Sequence, residues 1–191
     1  MYKIISVDDK VRVSPSKFNM DFEKAVKSSL EDKWEGVINP DLGVILAVIS
    51  IENIKEGRIF PGDGAIHYPV GFKLLTFIPE NHELIKGNII DVTEFGAFVN
   101  LGPLDGMIHV SQIMNDFVSF DEKKAVFVGR DSKRILKEGD QVMARIISVS
   151  YAGNQFKIGL TTRQAGLGAL LWIDADKKAA KKAAAPVKKK E

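Results

Sequence analysis

Apolar and polar positions alternate over residues 2–13, with Ile5, Val7, Val11 and Val13 on one parity, which predicts a strand with one buried face. Pro15 and the polar cluster at 14–19 end it. Over residues 20–35 the apolar spacing changes to three- and four-residue steps. Phe22, Ala25, Val26, Leu30 and Trp34 then form the stripe of an amphipathic helix. Asn19 is placed to cap this helix, Asp21 and Glu23 sit in its first turn, and Gly36 closes it. Runs rich in Val, Ile and Phe at 42–51 and 65–78 predict two further strands, joined through EGRIFPGDGA, where Gly57, Pro61, Gly62 and Gly64 specify turns. Residues 1–80 therefore read as an α+β domain, a helix laid on an antiparallel sheet.

The pattern breaks at PENHE, residues 79–83, and beyond it short strands and turns dominate. Lys86-Gly87 opens the first, residues 93–96 turn into the second, and 102–106 turn into the third. Gly139-Asp140 leads into QVMARIISVS, and 152–154 turn into QFKIGLTTR. Five strands of this kind predict an all-β barrel of the oligonucleotide-binding type over residues 81–176. The connection at 115–138 is long for a loop, and its Val118, Phe120, Ala125, Phe127 alternation predicts an inserted hairpin. GLGALLWI is expected to pack as a short closing helix or coil. Residues 177–191, KKAAKKAAAPVKKKE, have no core-forming face and are expected to be a disordered basic tail, or at most a transient helix.

Charge sharpens this division. The net charge is +2, but seven of the 27 Lys and Arg and only one of the 25 Asp and Glu fall in residues 177–191. The rest of the chain is mildly acidic, so bulk electrostatics would not make it a duplex-DNA binder. No apolar run reaches membrane-spanning length, the start MYKIISVDDK lacks a signal-peptide apolar region, and there is no cysteine. A cytoplasmic protein with no membrane partner, disulfide or thiolate metal site is expected.

Catalytic chemistry finds no support. GDGAIH lacks the Lys-Ser/Thr of a phosphate cradle. His67, His82 and His109 have no zinc-ligand spacing, and Asp8-Asp9 is read as a solvated turn or edge. No nucleophile, base and orienter occur together, and no cofactor is expected.

Strand alternation does point to a surface. Ala97, Val99 and Leu101 share the inward parity, so Gly96, Phe98 and Asn100 face out, and His109 faces out between Ile108 and Val110. Phe95 sits where the turn enters the second strand. Aromatic platforms of this kind hold unpaired bases with little sequence preference, and a side chain at Gly96 would crowd a base lying across the sheet. Arg145, on the outward parity with Met143, and Lys157 are placed to meet phosphates or to stack on bases. On alternation alone, the exposed rings fit base stacking and protein packing equally well.

These residues carry a resemblance. KGNIIDVTEFGAFVNLGPLDGMIHVSQI, followed by LKEGDQVMARIISVS and KIGLT, closely resembles the RNA-binding module named after ribosomal protein S-one. That resemblance implies RNA contact by Phe95, Phe98 and His109 and a basic contact at Lys157. The acidic residue common after the fourth strand is Ser150 here. The first 80 residues resemble the tip domain of the archaeal RNA polymerase stalk family called E-prime, in EDKWEG, DLGVILAV and above all FPGDGAIHYPVGFKLLTF.

The resemblance implies a non-catalytic polymerase subunit that forms a heterodimer with the smaller helical stalk partner called F, docks on the polymerase core near the clamp and binds nascent single-stranded RNA. It also implies core docking by the loop Pro61, Gly62, Asp63 and Gly64. By its own residues that loop is a connecting turn, and Tyr68 either anchors its return strand or joins the core. The rival readings are a translation or RNA-decay factor using the same barrel, and an RNA-processing enzyme.

Overall fold

The computed structural model describes residues 1–183. They fall into two units, Met1–Pro79 and the residues from Glu80 onward, one residue from the expected boundary.

In the first unit, β1 (Tyr2–Val13) lies antiparallel to β5 (Ile66–Phe77) along its whole length, and β5 pairs in turn with β3 (Gly43–Ile54). The short β2 (Ile38–Asn39) borders β3, and β4 (Arg58–Ile59) pairs with β5. Helix α1 (Phe22–Trp34) covers one sheet face. The alternating residues of β1 meet the helix stripe there, so that Val11, Val13, Ala25, Val26, Leu30, Phe72 and Leu74 are buried together. Three register shifts between β3 and β5 break strict alternation in β3, as bulges do when they bend a strand.

The helix begins two residues later than its periodicity suggests, with Asp21 rather than Asn19 at the cap. Residues Pro15–Lys17 form a 3-10 turn, and the Met20 N–H donates to the Lys17 carbonyl, which uses up the residues the helix would need. Asp8 and Asp9 are residues of β1, the edge strand of its sheet, so of the two alternatives, turn or edge, the edge holds. Lys33 Nζ lies 2.5 Å from Asp9 Oδ2.

In the second unit, β6 (Leu84–Thr93), β7 (Gly96–Asn100) and β8 (Asp105–His109) form a meander. β12 (Gln141–Ala152) pairs with β6, and β13 (Gln155–Thr161) pairs with both β12 and, in parallel, β8. That second pairing closes the five strands into a barrel filled by Ile89, Ala97, Val99, Ile108, Ala144, Ile146 and Leu160. The insertion is a three-stranded sheet of β9 (Val118–Asp121), β10 (Val126–Gly129) and β11 (Ile135–Lys137), one strand more than the expected hairpin. Phe127 and Leu136 carry it into the barrel core. Ala125 does not share that alternation, since it is an exposed turn residue with φ of 49°.

β14 (Gly168–Ala169) pairs with β12 and leads into α2 (Leu170–Ala183). Trp172 is buried in the barrel core, and Arg134 both bonds Asp176 at 2.6 Å and lies over the Trp172 ring. The expectation of disorder from residue 177 is thus corrected for 177–183. A helix already nucleated at an anchored turn propagates cheaply through Ala and Lys, both good helix formers. The remainder of the basic tail, residues 184–191, lies outside the described residues. No helix among the described residues is long and apolar enough to cross a membrane.

Candidate nucleic-acid interface

The turn at residues 94–95 feeds β7, which pairs with β8 so that Gly96 faces His109, Phe98 faces Met107 and Asn100 faces Asp105. With Ala97, Val99 and Ile108 fully buried in the barrel, alternation leaves Phe98, Met107 and His109 on the outside. Phe95 at the turn is 64% exposed, His109 is exposed and Phe98 is half-buried. Phe98 and His109 therefore share the outer face of β7 and β8, and Phe95 is exposed on the turn that enters β7.

His109 is also oriented. Its Nδ1 accepts the Ser111 backbone N–H at 3.3 Å and lies 2.8 Å from Ser111 Oγ. An accepting Nδ1 places the proton of the neutral ring on Nε2, so the free edge of the imidazole is a donor. The Val110–Gln112 segment turns into a 3-10 helix here, which half-buries Val110 against the core at the end of β8.

Gly96 is required for a reason different from the expected one. A Cβ there would lie 2.2 Å from the Ile108 carbonyl oxygen, so the neighbouring strand excludes a side chain whether or not a base is bound.

Arg145 and Lys157 do not join the cluster directly. On the outer wall, β12 and β13 pair Arg145 with Thr161, Ser148 with Gly159 and Ser150 with Lys157. Gly159 in turn pairs with Met107 of β8. The two cations thus lie on either side of the row that contains Phe98 and Met107, farther around the barrel from the rings. Arg145 is half-buried, and its Nε is buried with no hydrogen-bond partner among the described residues. Lys157 is exposed. Met107 escaped the sequence reading although it has the same parity as His109. Gly159 escaped it because its neighbours come from two distant strands.

The loop of the first unit is held by charge. Asp63 accepts from Arg12 Nε at 2.9 Å and Nη2 at 2.7 Å, from the Ala65 N–H at 3.1 Å, and lies 2.9 Å from His67 Nε2. The Arg12 hydrogen bond, then those of His67 and Ala65, hold the Asp63 carboxyl well below the usual carboxylate range. The Phe60 ring packs edge-on against His67 at 5.0 Å. Pro61 and Gly64 are exposed, and Gly62 has φ of 88°, a conformation that favours glycine. Ile59 and Phe60 are exposed beside this pinned turn. Tyr68 belongs to the packing below the loop. It is half-buried, meets Phe22 edge-on at 5.1 Å, and lies where a Gly57 side chain would sit.

Comparison with known proteins agrees with both halves. Residues 8–64 match the SHS2 domain found in the N terminus of Rpb7p/Rpc25p/MJ0397, and residues 78–160 match the S1 RNA binding domain. DNA-directed RNA polymerase subunit Rpo7 of Saccharolobus shibatae is 37% identical over 180 residues, spanning 93% of this chain and 100% of that protein. The Rpo7 subunit of Sulfolobus acidocaldarius is 34% identical over 91% of this chain and 96% of its own length. DNA-directed RNA polymerase III subunit RPC8 of Bos taurus is 24% identical over 79% of this chain and 77% of its own. With its helix-on-sheet first unit, its barrel and this end-to-end similarity, the chain belongs to the Rpo7 family of DNA-directed RNA polymerase subunits, the stalk family to which its motifs point.

Proposed function

We propose that this non-catalytic stalk protein holds nascent single-stranded RNA on the outer face of β7 and β8, pairs with the smaller stalk partner called F, and docks on the polymerase core near the clamp through the loop at residues 60–65. The observation that carries the RNA assignment is the outward parity of Phe98 and His109 on β7 and β8, with Phe95 exposed on the adjoining turn. The rings offer stacking without sequence readout, and the oriented imidazole offers a donor to phosphate or base edge. Weak and sequence-tolerant contact suits a transcript that must keep sliding. The docking assignment draws on the pinned loop, which presents Ile59 and Phe60 to a partner at little further ordering cost.

The combined variant Phe95→Ala, Phe98→Ala, His109→Ala is expected to lose single-stranded RNA affinity in fluorescence anisotropy, by about tenfold or more for each lost base platform. Its urea midpoint is expected to stay close to the parent's, because none of the three side chains fills the barrel. Unchanged affinity at an unchanged midpoint would rule out the β7–β8 face as the surface that holds RNA.

A further inference from the structure

Beyond β8 the chain stays on the barrel. Residues Val110–Gln112 form a 3-10 turn, and Ile113, directly after it, is fully buried in the core. This turn is tied in three directions. Towards β8, the Ser111 N–H donates to His109 Nδ1 at 3.3 Å, and Ser111 Oγ lies 2.8 Å from the same nitrogen. Towards β7, the Val110 N–H donates to the Phe95 carbonyl at 2.9 Å. Towards the end of β13, Gln112 and Ile113 meet two threonines. The Thr161 hydroxyl donates to Gln112 Oε1 at 2.8 Å, and the Thr162 N–H donates to the Gln112 carbonyl at 2.9 Å. The Thr162 hydroxyl donates to the Ile113 carbonyl at 2.6 Å.

The threonines are buried almost as deeply as the core, Thr161 at 3% and Thr162 at 4% exposure. A hydroxyl taken out of water is costly unless it is hydrogen-bonded. Here each hydroxyl has its partner on the segment that follows β8. Valine has nearly the shape of threonine but no donor, so at 162 it would take away the hydroxyl that the Ile113 carbonyl accepts from. The turn would then have reason to shift. Strand pairing fixes the backbone of His109 opposite Gly96, but the orientation of its imidazole rests on Ser111, and the carbonyl of Phe95 rests on Val110. Both contacts come from the one turn whose far end the threonines hold.

We infer that Thr161 and Thr162 are positioning residues for RNA contact. Through Gln112 and Ile113 they set the Val110–Gln112 turn, and the turn holds His109 in the tautomer whose free donor is Nε2–H while bracing the Phe95 turn. They touch no RNA themselves. Their use is to order the contact groups before the ligand arrives, which lowers the cost of binding. This inference rests on the proposed RNA-binding role of the β7–β8 face.

The test uses the full chain with Thr162→Val, with Thr162→Ser, which keeps the hydroxyl, and with Gln112→Ala. The last removes the Thr161 bond without touching the core, and it serves in place of the valine variant should valine prevent folding. Thr162→Val is expected to bind oligouridylate about fivefold more weakly than the parent, part of the worth of one base platform, and Thr162→Ser to stay within about twofold. In a background of Phe95→Ala with His109→Ala, Thr162→Val is expected to cause no further loss. The ring nitrogens report the positioning itself, by NMR of 15N-labelled protein at mildly alkaline pH, with the His109 signals identified by their loss in His109→Ala. The parent is expected to show one tautomer, protonated on Nε2, and Thr162→Val a mixture of two. A parental tautomer in Thr162→Val would overturn the positioning role, as would an equal loss of affinity in the background that lacks both rings. A mixed tautomer with parental RNA affinity would instead overturn the RNA role of His109, so the two failures are distinguishable.

Discussion

In the loop at residues 60–65 a single carboxylate gathers Arg12, His67 and the Ala65 amide, whereas on the barrel wall Phe95 and Phe98 take their places from a turn and from strand parity. The loop is arranged by side-chain hydrogen bonds that one substitution can remove while the sheet beneath stays intact. The wall is arranged by the barrel itself, because the same alternation that buries Ala97 and Val99 turns Phe98 outward. A contact surface built by parity is therefore as durable as the core behind it. A surface built by a polar pin can be loosened independently, by mutation or by acid.

The largest expected effect follows from parity. Gly96→Val drives a side chain into the Ile108 carbonyl and should destabilise the second unit by about 3 kcal/mol. A lowered urea midpoint, with the first unit retaining its own transition, is the measurement. A folded barrel of parental stability would mean that β7 and β8 can separate enough to admit a side chain.

Asp63→Asn tests the pin. It should weaken association with the polymerase core in a pull-down while leaving RNA affinity at the parental level. Its effect on pH dependence has a definite sign. A carboxyl held below its ordinary value adds stability above the unfolded-state value near about 3.9, and that stability is lost as pH falls through the lower folded value. Melting temperature on the acid side should therefore fall less steeply in Asp63→Asn than in the parent. The groups are solvent-screened, so the difference at neutral pH should be small. Identical acid slopes would remove Asp63 from the loop's support.

The smallest effect is expected at Lys157, which lies outside the ring cluster. Lys157→Ala should reduce the slope of log affinity against log salt by about 0.7, the share of one phosphate on a single strand. Loss of the stacking contribution itself would instead place Lys157 within the base-holding cluster.

Much of this was legible in the residues. The Val11 and Val13 parity, the Ala25–Val26–Leu30 stripe and the FGAFV alternation each locate a buried face, because periodicities of two and 3.6 are local properties of the backbone. The outward parity of Phe98 and His109 could be read from a pair of adjacent strands. Less visible were features that depend on other chain segments, near or distant. Three register shifts blurred the alternation of β3, and the preceding 3-10 turn moved the start of α1. The third inserted strand and the helical course of residues 177–183 depended on Leu136 and Trp172 finding the barrel core.

The sequence by itself determined the two-part organisation, the long strands, the helix of the first part, and the outward parity of Phe98 and His109, since these follow from the order of side chains along one local backbone. Only the tertiary structure decided that Arg12 and His67 converge on Asp63, that a carbonyl excludes a side chain at Gly96, and that Gly159 lies beside Met107. Arg12 reaches Asp63, Ile108 reaches Gly96 and Met107 reaches Gly159 across paired strands, and that register is set by the sheet rather than by any one segment.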